Sequence, residues 1–240
     1  VGLKKLTQID IKEHFQVTKE NPLIGIEGRV HLLNELGRAI EKHPKVFKNG
    51  RIGDLLDYLI EQDGENIRAV HVLDFVLKFF GDIWPSRIKL GDQSLGDVWS
   101  YSGLGKANTT ESLVPFHKLS QWLTYSLLVP MIEMDLRITG VDELTGLAEY
   151  RNGGLFIDTG VLTLRNPELL KMKHAPDTEL VIEWRALTVA LLDLVGENIR
   201  QKLNMTKEEL PLAKVLEGGT WHAGRKIAKE KRPGGEPPLN

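Results

Sequence analysis

Cysteine is absent from all 240 residues. Its absence excludes disulfides, thiolate zinc sites, iron–sulfur clusters and a cysteine nucleophile, and it fits a reducing compartment. Long apolar runs are also missing. None approaches the about 20 residues that a membrane helix needs, and the opening VGLKKLTQID lacks the continuous apolar stretch of a secretory signal. Charge of one sign is not in excess: 31 Lys and Arg face 33 Asp and Glu, a formal net charge of −2. No global positive field therefore recruits nucleic acid. The common catalytic signatures are absent as well: there is no HExxH, no paired-His metal spacing, no P-loop and no G-x-S-x-G. His71-x-x-Asp74 is too short a signal for a metal site. Gly103-Leu104-Gly105 lacks the strand–helix context of a dinucleotide fingerprint. The chain is expected to be soluble and cytoplasmic, to need no cofactor or metal, and to have a small-molecule substrate rather than nucleic acid or a membrane as its partner.

What is present is helical periodicity. Hydrophobic residues make up 41% and charged residues 27% of the chain, as in an ordinary globular protein. Glu27–Lys42 repeats apolar residues at helical spacing and stops before Pro44. Ile52–Gln62 reads as a short amphipathic helix, and Ala69–Phe80 as a strongly apolar one ending at Gly81. Residues 81–110 are a long irregular segment rich in Gly, Asp, Ser and aromatics, and such segments often carry function. A helix is predicted from Phe116 to about Met134, with Leu119, Trp122, Leu123, Ser126, Leu127 and Pro130 on its buried side. Leu155–Ile157 and Val161–Leu164 are candidate short strands of a hairpin. Leu180–Leu203 is apolar almost all round, which predicts a central helix. Pro211 opens another short helix. The basic run Arg225–Arg232 reads as a solvated helix face, and 229–240 as a flexible tail. No repeat and no linker is visible, so a single, mostly α multi-helix domain is predicted over 1–240.

Certain polar residues need partners. Glu183, Arg185, Thr188 and Asp193 lie among apolar neighbours, and an unpaired buried carboxylate costs several kcal/mol. Glu183 and Arg185, two apart, point to different sides of a helix. Arg151 is the expected partner of Glu183, and Glu149 that of Arg185. The run Glu149-Tyr150-Arg151-Asn152-Gly153-Gly154 combines a carboxylate, a phenol, a guanidinium and an amide with two glycines that admit close approach. It reads either as a sugar or phosphate site or as a helix C-cap. Phe116-His117-Lys118 begins a helix, where backbone N–H groups favour anions. Its competing reading is a plain cap. Trp84, Trp99, Tyr101, Trp122, Tyr125 and Trp221 offer faces for stacking.

Seven blocks carry a resemblance: NPLIGIEGR (21–29), IWPSR (83–87), LGDVW (95–99), VPFHKLSQWLTYSLL (114–128), LTGLAEYRNGGLFID (144–158), ELVIEWRALTVALLD (179–193) and LEGGTWHAGRKIA (216–228). In this order they resemble the uracil-catabolism family, the fourth-type protein of the route from uracil to urea. Members of that family are longer and carry a DAGAG segment and an SDGTVF tail not found here, so the chain reads as the C-terminal part of such a protein. Ala148-Glu149-Tyr150-Arg151 and Glu183-Trp184-Arg185 also resemble the ADYR and E-x-R elements of the queuosine-salvage N-glycosylases, which implies a fold like helix-hairpin-helix glycosylases. The two resemblances imply hydrolysis of the N-glycosidic bond of ribosylurea or its 5′-phosphate. They place Glu149, Tyr150 and Arg151 at the chemistry. Asn152, Asp158, His117, Lys118, Trp122, Trp99, Glu183 and Arg185 would lie around the substrate. A metal-dependent amidohydrolase and a non-catalytic nucleotide- or partner-binding protein are the alternatives.

Overall fold

A computed structural model describes residues 2–85, 88–107 and 109–239. Ser86 and Arg87 of the IWPSR block, Asn108 of the irregular segment and the last residue of the tail lie outside them. The chain divides into two compact units, residues 1–96 with 127–139, and residues 97–126 with 140–240. The sequence predicts one domain because neither unit is continuous. The chain passes between them at 96/97, at 126/127 inside a helix and at 139/140.

The first unit holds α1 (Gln8–His14), α2 (Ile26–Lys42), α3 (Asp54–Asp63), β1 (Asn66–Arg68) and α4 (Ala69–Phe80). The bounds of α4 are those predicted from its apolar run, and α2 stops at Lys42, before His43 and Pro44. Aromatic rings fill this core: Phe75 meets Phe47, Tyr58, Phe79 and Phe80 at centroid distances of 4.7–6.0 Å. β1 pairs in parallel with β6 (Arg137–Thr139), Ile67 opposite Ile138. The Asp63 carboxylate accepts the N–H of Arg68 at 3.1 Å and lies 2.8 Å from His71 Nδ1, so it ties the end of α3 to the start of α4.

The irregular segment is partly ordered by a small antiparallel hairpin, β2 (Lys89–Leu90) with β3 (Gln93–Ser94). In the second unit β4 (Val98–Ser100) pairs antiparallel with β5 (Leu113–Pro115). α5 (Lys118–Glu133) begins in the second unit and ends in the first. Its buried side is not the expected one. Ser120, Gln121, Thr124, Leu128 and Met131 are buried, while Leu119 and Trp122 are 44% and 49% exposed. Apolar residues occur on both sides of this helix, so periodicity alone cannot phase it. Gln121 Nε2 donates to Thr145 Oγ1 at 3.0 Å and Thr124 Oγ1 to the Ser120 carbonyl at 2.9 Å.

The rest of the second unit is helical: α6 (Tyr150–Asp158), α7 (Glu179–Leu203), α8 (Leu212–Val215), a π-helical turn (Leu216–Trp221) and α9 (His222–Lys231). Phe156, Leu192, Leu212, Val215 and Leu216 form one cluster of its core, and Phe116, Ala148 and Ile182 another. The expected hairpin is corrected. Leu155–Ile157 belongs to α6 rather than to a strand, and 161–164 has no regular structure. In the tail Gly235 and Leu239 are buried, while Pro233, Gly234 and Glu236 are exposed. Leu239 is 4% exposed, and a Cβ on Gly154 would lie 2.9 Å from Pro238. Arg151 and Asp158 of α6 also contact this segment, at the Gly235 carbonyl and at Arg232.

Candidate functional site

The run Glu149–Gly154 begins a helix where a C-cap was one expectation. Glu149 has extended backbone (φ −104°, ψ 136°), and its carboxylate accepts the Arg151 N–H at 2.7 Å, the N-cap of α6. Gly153 and Gly154 lower helix propensity by about 1 kcal/mol each, and tertiary packing requires them both. A Cβ on Gly153 would fall 2.6 Å from Thr188 Oγ1 and 2.8 Å from Trp184 Nε1 of α7. From α9, a Cβ on Gly224 would fall 2.1 Å from the Arg151 carbonyl oxygen. The close approach predicted for these glycines is therefore made by neighbouring segments of the protein itself.

Glu149 is 5% exposed. Burial pushes its carboxyl above the usual glutamate range, and the N–H groups of Arg151 and Asn152 with the charges of Lys118 and Arg151 offset part of that push. A carboxylate so placed takes a proton more readily than a solvated glutamate does. Tyr150 is 43% exposed beside it, and the Arg151 guanidinium lies 4.9 Å from the Tyr150 ring centre.

The other expected residues are placed as follows. Arg151 Nη1 donates to the Gly235 carbonyl at 2.5 Å. Asn152, 2% exposed, accepts from Thr220 Oγ1 at 3.0 Å. Asp158 accepts a two-pronged bond from Arg232 at 2.8 and 2.5 Å. Glu183 is exposed, and neither expected pair, Arg151–Glu183 or Glu149–Arg185, is the one formed. Arg185 donates from both terminal nitrogens to Asp97, at 2.9 and 2.7 Å, and lies 4.1 Å over the Phe116 ring.

Asp97 is the residue that sequence reading missed. It lies in the LGDVW block, but nothing local marks its role, because its partner is 88 positions away. Its carboxylate also accepts from Trp99 Nε1 at 2.6 Å and from the Lys118 N–H at 3.0 Å. Its carbonyl accepts the N–H groups of Phe116 and His117 at 3.0 and 3.2 Å. Burial opposes ionisation here, but the hydrogen bonds and charge of Arg185, with the Trp99 and Lys118 donors, hold the carboxyl below the usual aspartate range. The anion expected at the start of α5 is thus met by the protein's own Asp97. The turn that achieves this puts His117 at φ 46°, a left-handed conformation that costs of order 1 kcal/mol outside glycine. Burial holds the half-buried His117 ring below its usual proton affinity, and Asp97 partly opposes that effect. Lys118, the next residue, lies close enough to Glu149 for its charge to favour the ionised carboxylate.

Chemically, the arrangement offers one buried carboxylate capable of base chemistry, a nearby ammonium and guanidinium, and an exposed phenol. Among the described residues no group of three or more His, Asp or Glu side chains is arranged to hold a metal ion. No helix among them is long and apolar enough to cross a membrane.

Residues 1–240 match a family described as a protein of unknown function, DUF1688. The chain belongs to the DUF1688 family. Two DUF1688-like relatives extend the finding. The chain is 41% identical over 241 residues to the Schizosaccharomyces pombe protein called Protein urg3, covering 97% of the chain and 56% of that protein. It is 40% identical over 264 residues to Uracil catabolism protein 4 of Lachancea kluyveri, covering 97% and 60%. This DUF1688 chain therefore spans a little over half the length of the curated relatives it matches.

Proposed function

We propose that this protein acts in uracil catabolism by hydrolysing the N-glycosidic bond of ribosylurea, free or 5′-phosphorylated, to release urea. The observation that carries the reading is Glu149: a buried carboxylate with raised proton affinity, capping α6, with Lys118 and Arg151 near it. The name of the Lachancea kluyveri relative supports the pathway. The helical second unit supports a glycosylase-like scaffold.

Cleavage of such a bond builds positive charge on the sugar at C1′. Glu149 stabilises that charge and takes a proton from the attacking water. The C1′–N bond breaks with its electron pair passing to the urea nitrogen, which is protonated from solvent, so ribosylurea and water give ribose and urea. Tyr150 meets the sugar hydroxyls, and Lys118 with Arg151 meets the sugar phosphate when one is present. His117 and Trp122 border the entry. Arg185 and Trp99 act through Asp97, whose bonds set the turn that presents His117 and Lys118. The test is release of urea from ribosylurea and its 5′-phosphate, measured by a urease-coupled assay, with the wild type and Glu149→Gln. Loss of turnover with the helical circular dichroism spectrum retained is the expected result. Unchanged turnover in the variant sinks the assignment.

A further inference from the structure

A cavity of about 420 Å³ opens in the second unit, lined among others by Tyr101, Arg165, Leu180, Glu183, Trp184 and Leu187. Its size falls within the roughly 300–1,000 Å³ of small-molecule sites. Leu180, Glu183, Trp184 and Leu187 are spaced i, i+3, i+4 and i+7, so one side of α7 forms one of its walls. Arg185 lies on the opposite side of that helix, at about 100° per residue, so this cavity is separate from the Asp97 cluster. The buried end of the 232–239 segment also reaches it, through Leu239.

The walls are largely apolar and include an indole and a phenol, which suit the face of a planar ring. Two charges of opposite sign, Arg165 and Glu183, line the same cavity. Neither makes an ion pair or hydrogen bond among the described residues. Opposite charges that share a cavity without meeting leave a donor fork and an acceptor free for one ligand to bridge. A phosphate suits the planar guanidinium fork. Ring N–H donors suit the carboxylate.

We propose that this cavity binds a nucleotide whose planar base carries an N–H, with the phosphate on Arg165, the base N–H on Glu183 and the ring against Trp184 and Tyr101. The site is distinct from Glu149 and does not depend on the hydrolytic reading.

The probes are uridine 5′-monophosphate, uridine and inorganic phosphate, each titrated calorimetrically into the wild type, Arg165→Gln and Glu183→Gln. Arg165 and Glu183 are both exposed, so these two variants are expected to melt as the wild type does. The nucleotide is expected to bind one-to-one. Arg165→Gln should weaken it by about 10- to 100-fold, the worth of a charge-assisted hydrogen bond, and leave uridine unchanged. Glu183→Gln should weaken nucleotide and uridine alike. The proposal is overturned by absence of nucleotide binding at millimolar concentration, by equal affinities in the wild type and Arg165→Gln, or by inorganic phosphate binding as tightly as the nucleotide.

Discussion

Removal of the Asp97 carboxylate is the sharpest probe of how the second unit is organised. Asp97 and Arg185 are 25% and 14% exposed at their side chains, and their two hydrogen bonds are parallel. Breaking a buried pair by deleting one partner costs about 3–5 kcal/mol, because the other charge is left desolvated. Exposed pairs are worth about 0–1 kcal/mol. Partial exposure of Asp97 places Asp97→Ala between these limits, at about 2–4 kcal/mol. In a chain of this size each kcal/mol moves Tm by about 2–4 °C, so the expected fall is about 4–16 °C. Asp97→Asn keeps an acceptor for Trp99 Nε1 but loses the charge, and should cost about half as much. Denaturant unfolding followed by far-ultraviolet circular dichroism measures both. The decisive comparison is the double variant Asp97→Ala/Arg185→Met. Removing the orphaned guanidinium should return part of the loss, since an apolar pair tolerates burial. The sign of the pH dependence is fixed by the lowered carboxyl of Asp97. Its contribution is complete above the ordinary aspartate range and is lost as pH falls through the lower folded value. The Asn variant should therefore show a flatter loss of stability in acid. A cost below about 1 kcal/mol, or a double variant no more stable than Asp97→Ala, would refute the reasoning.

Glu149→Gln tests the opposite sign. The folded fold favours the protonated form of Glu149, so wild-type stability should decline as pH rises through that raised value, and the variant should lack this decline in a series of melts. On the proposed chemistry, hydrolysis by the wild type should rise with pH across the same window, read from kcat/KM profiles. Gly224→Ala would push a Cβ to 2.1 Å from the Arg151 carbonyl and should cost several kcal/mol, as overpacking of backbone does at about 1–3 kcal/mol or more. Gly218→Ala, at a helical position with nothing within 4 Å of the added Cβ, should instead stabilise by about 0.5–1 kcal/mol. Both are checked by thermal melts.

Local signals in the sequence carried the helices further than they carried the site. Ala69–Phe80 is an apolar run closed by glycine, and both its ends were legible. Leu155–Ile157 reads as a strand because a β-like triplet sits inside a helix whose cap, Glu149, resembles a mid-helix residue until its φ and ψ are known. The partners of Arg185, Asp158 and Asn152 lie 88, 74 and 68 positions away. Such pairings leave no periodic trace, so the sequence marked which polar groups needed partners and not which ones they would find. For the same reason it showed Glu149 as a carboxylate of interest but not the burial that raises its proton affinity.

The π-helical turn at Leu216–Trp221 has a consequence for insertions and deletions. Each residue advances a helix by about 100°, and a wider turn resets the rotational phase of everything that follows it. In this phase position 224 meets the Arg151 carbonyl, where only glycine, without a side chain, fits. Deleting a single residue from the Leu216–Trp221 turn would swing α9 by about a quarter turn and bring Arg225 to the place of Gly224 against α6. A length change of one residue at this place should therefore be far more disruptive than most substitutions within it.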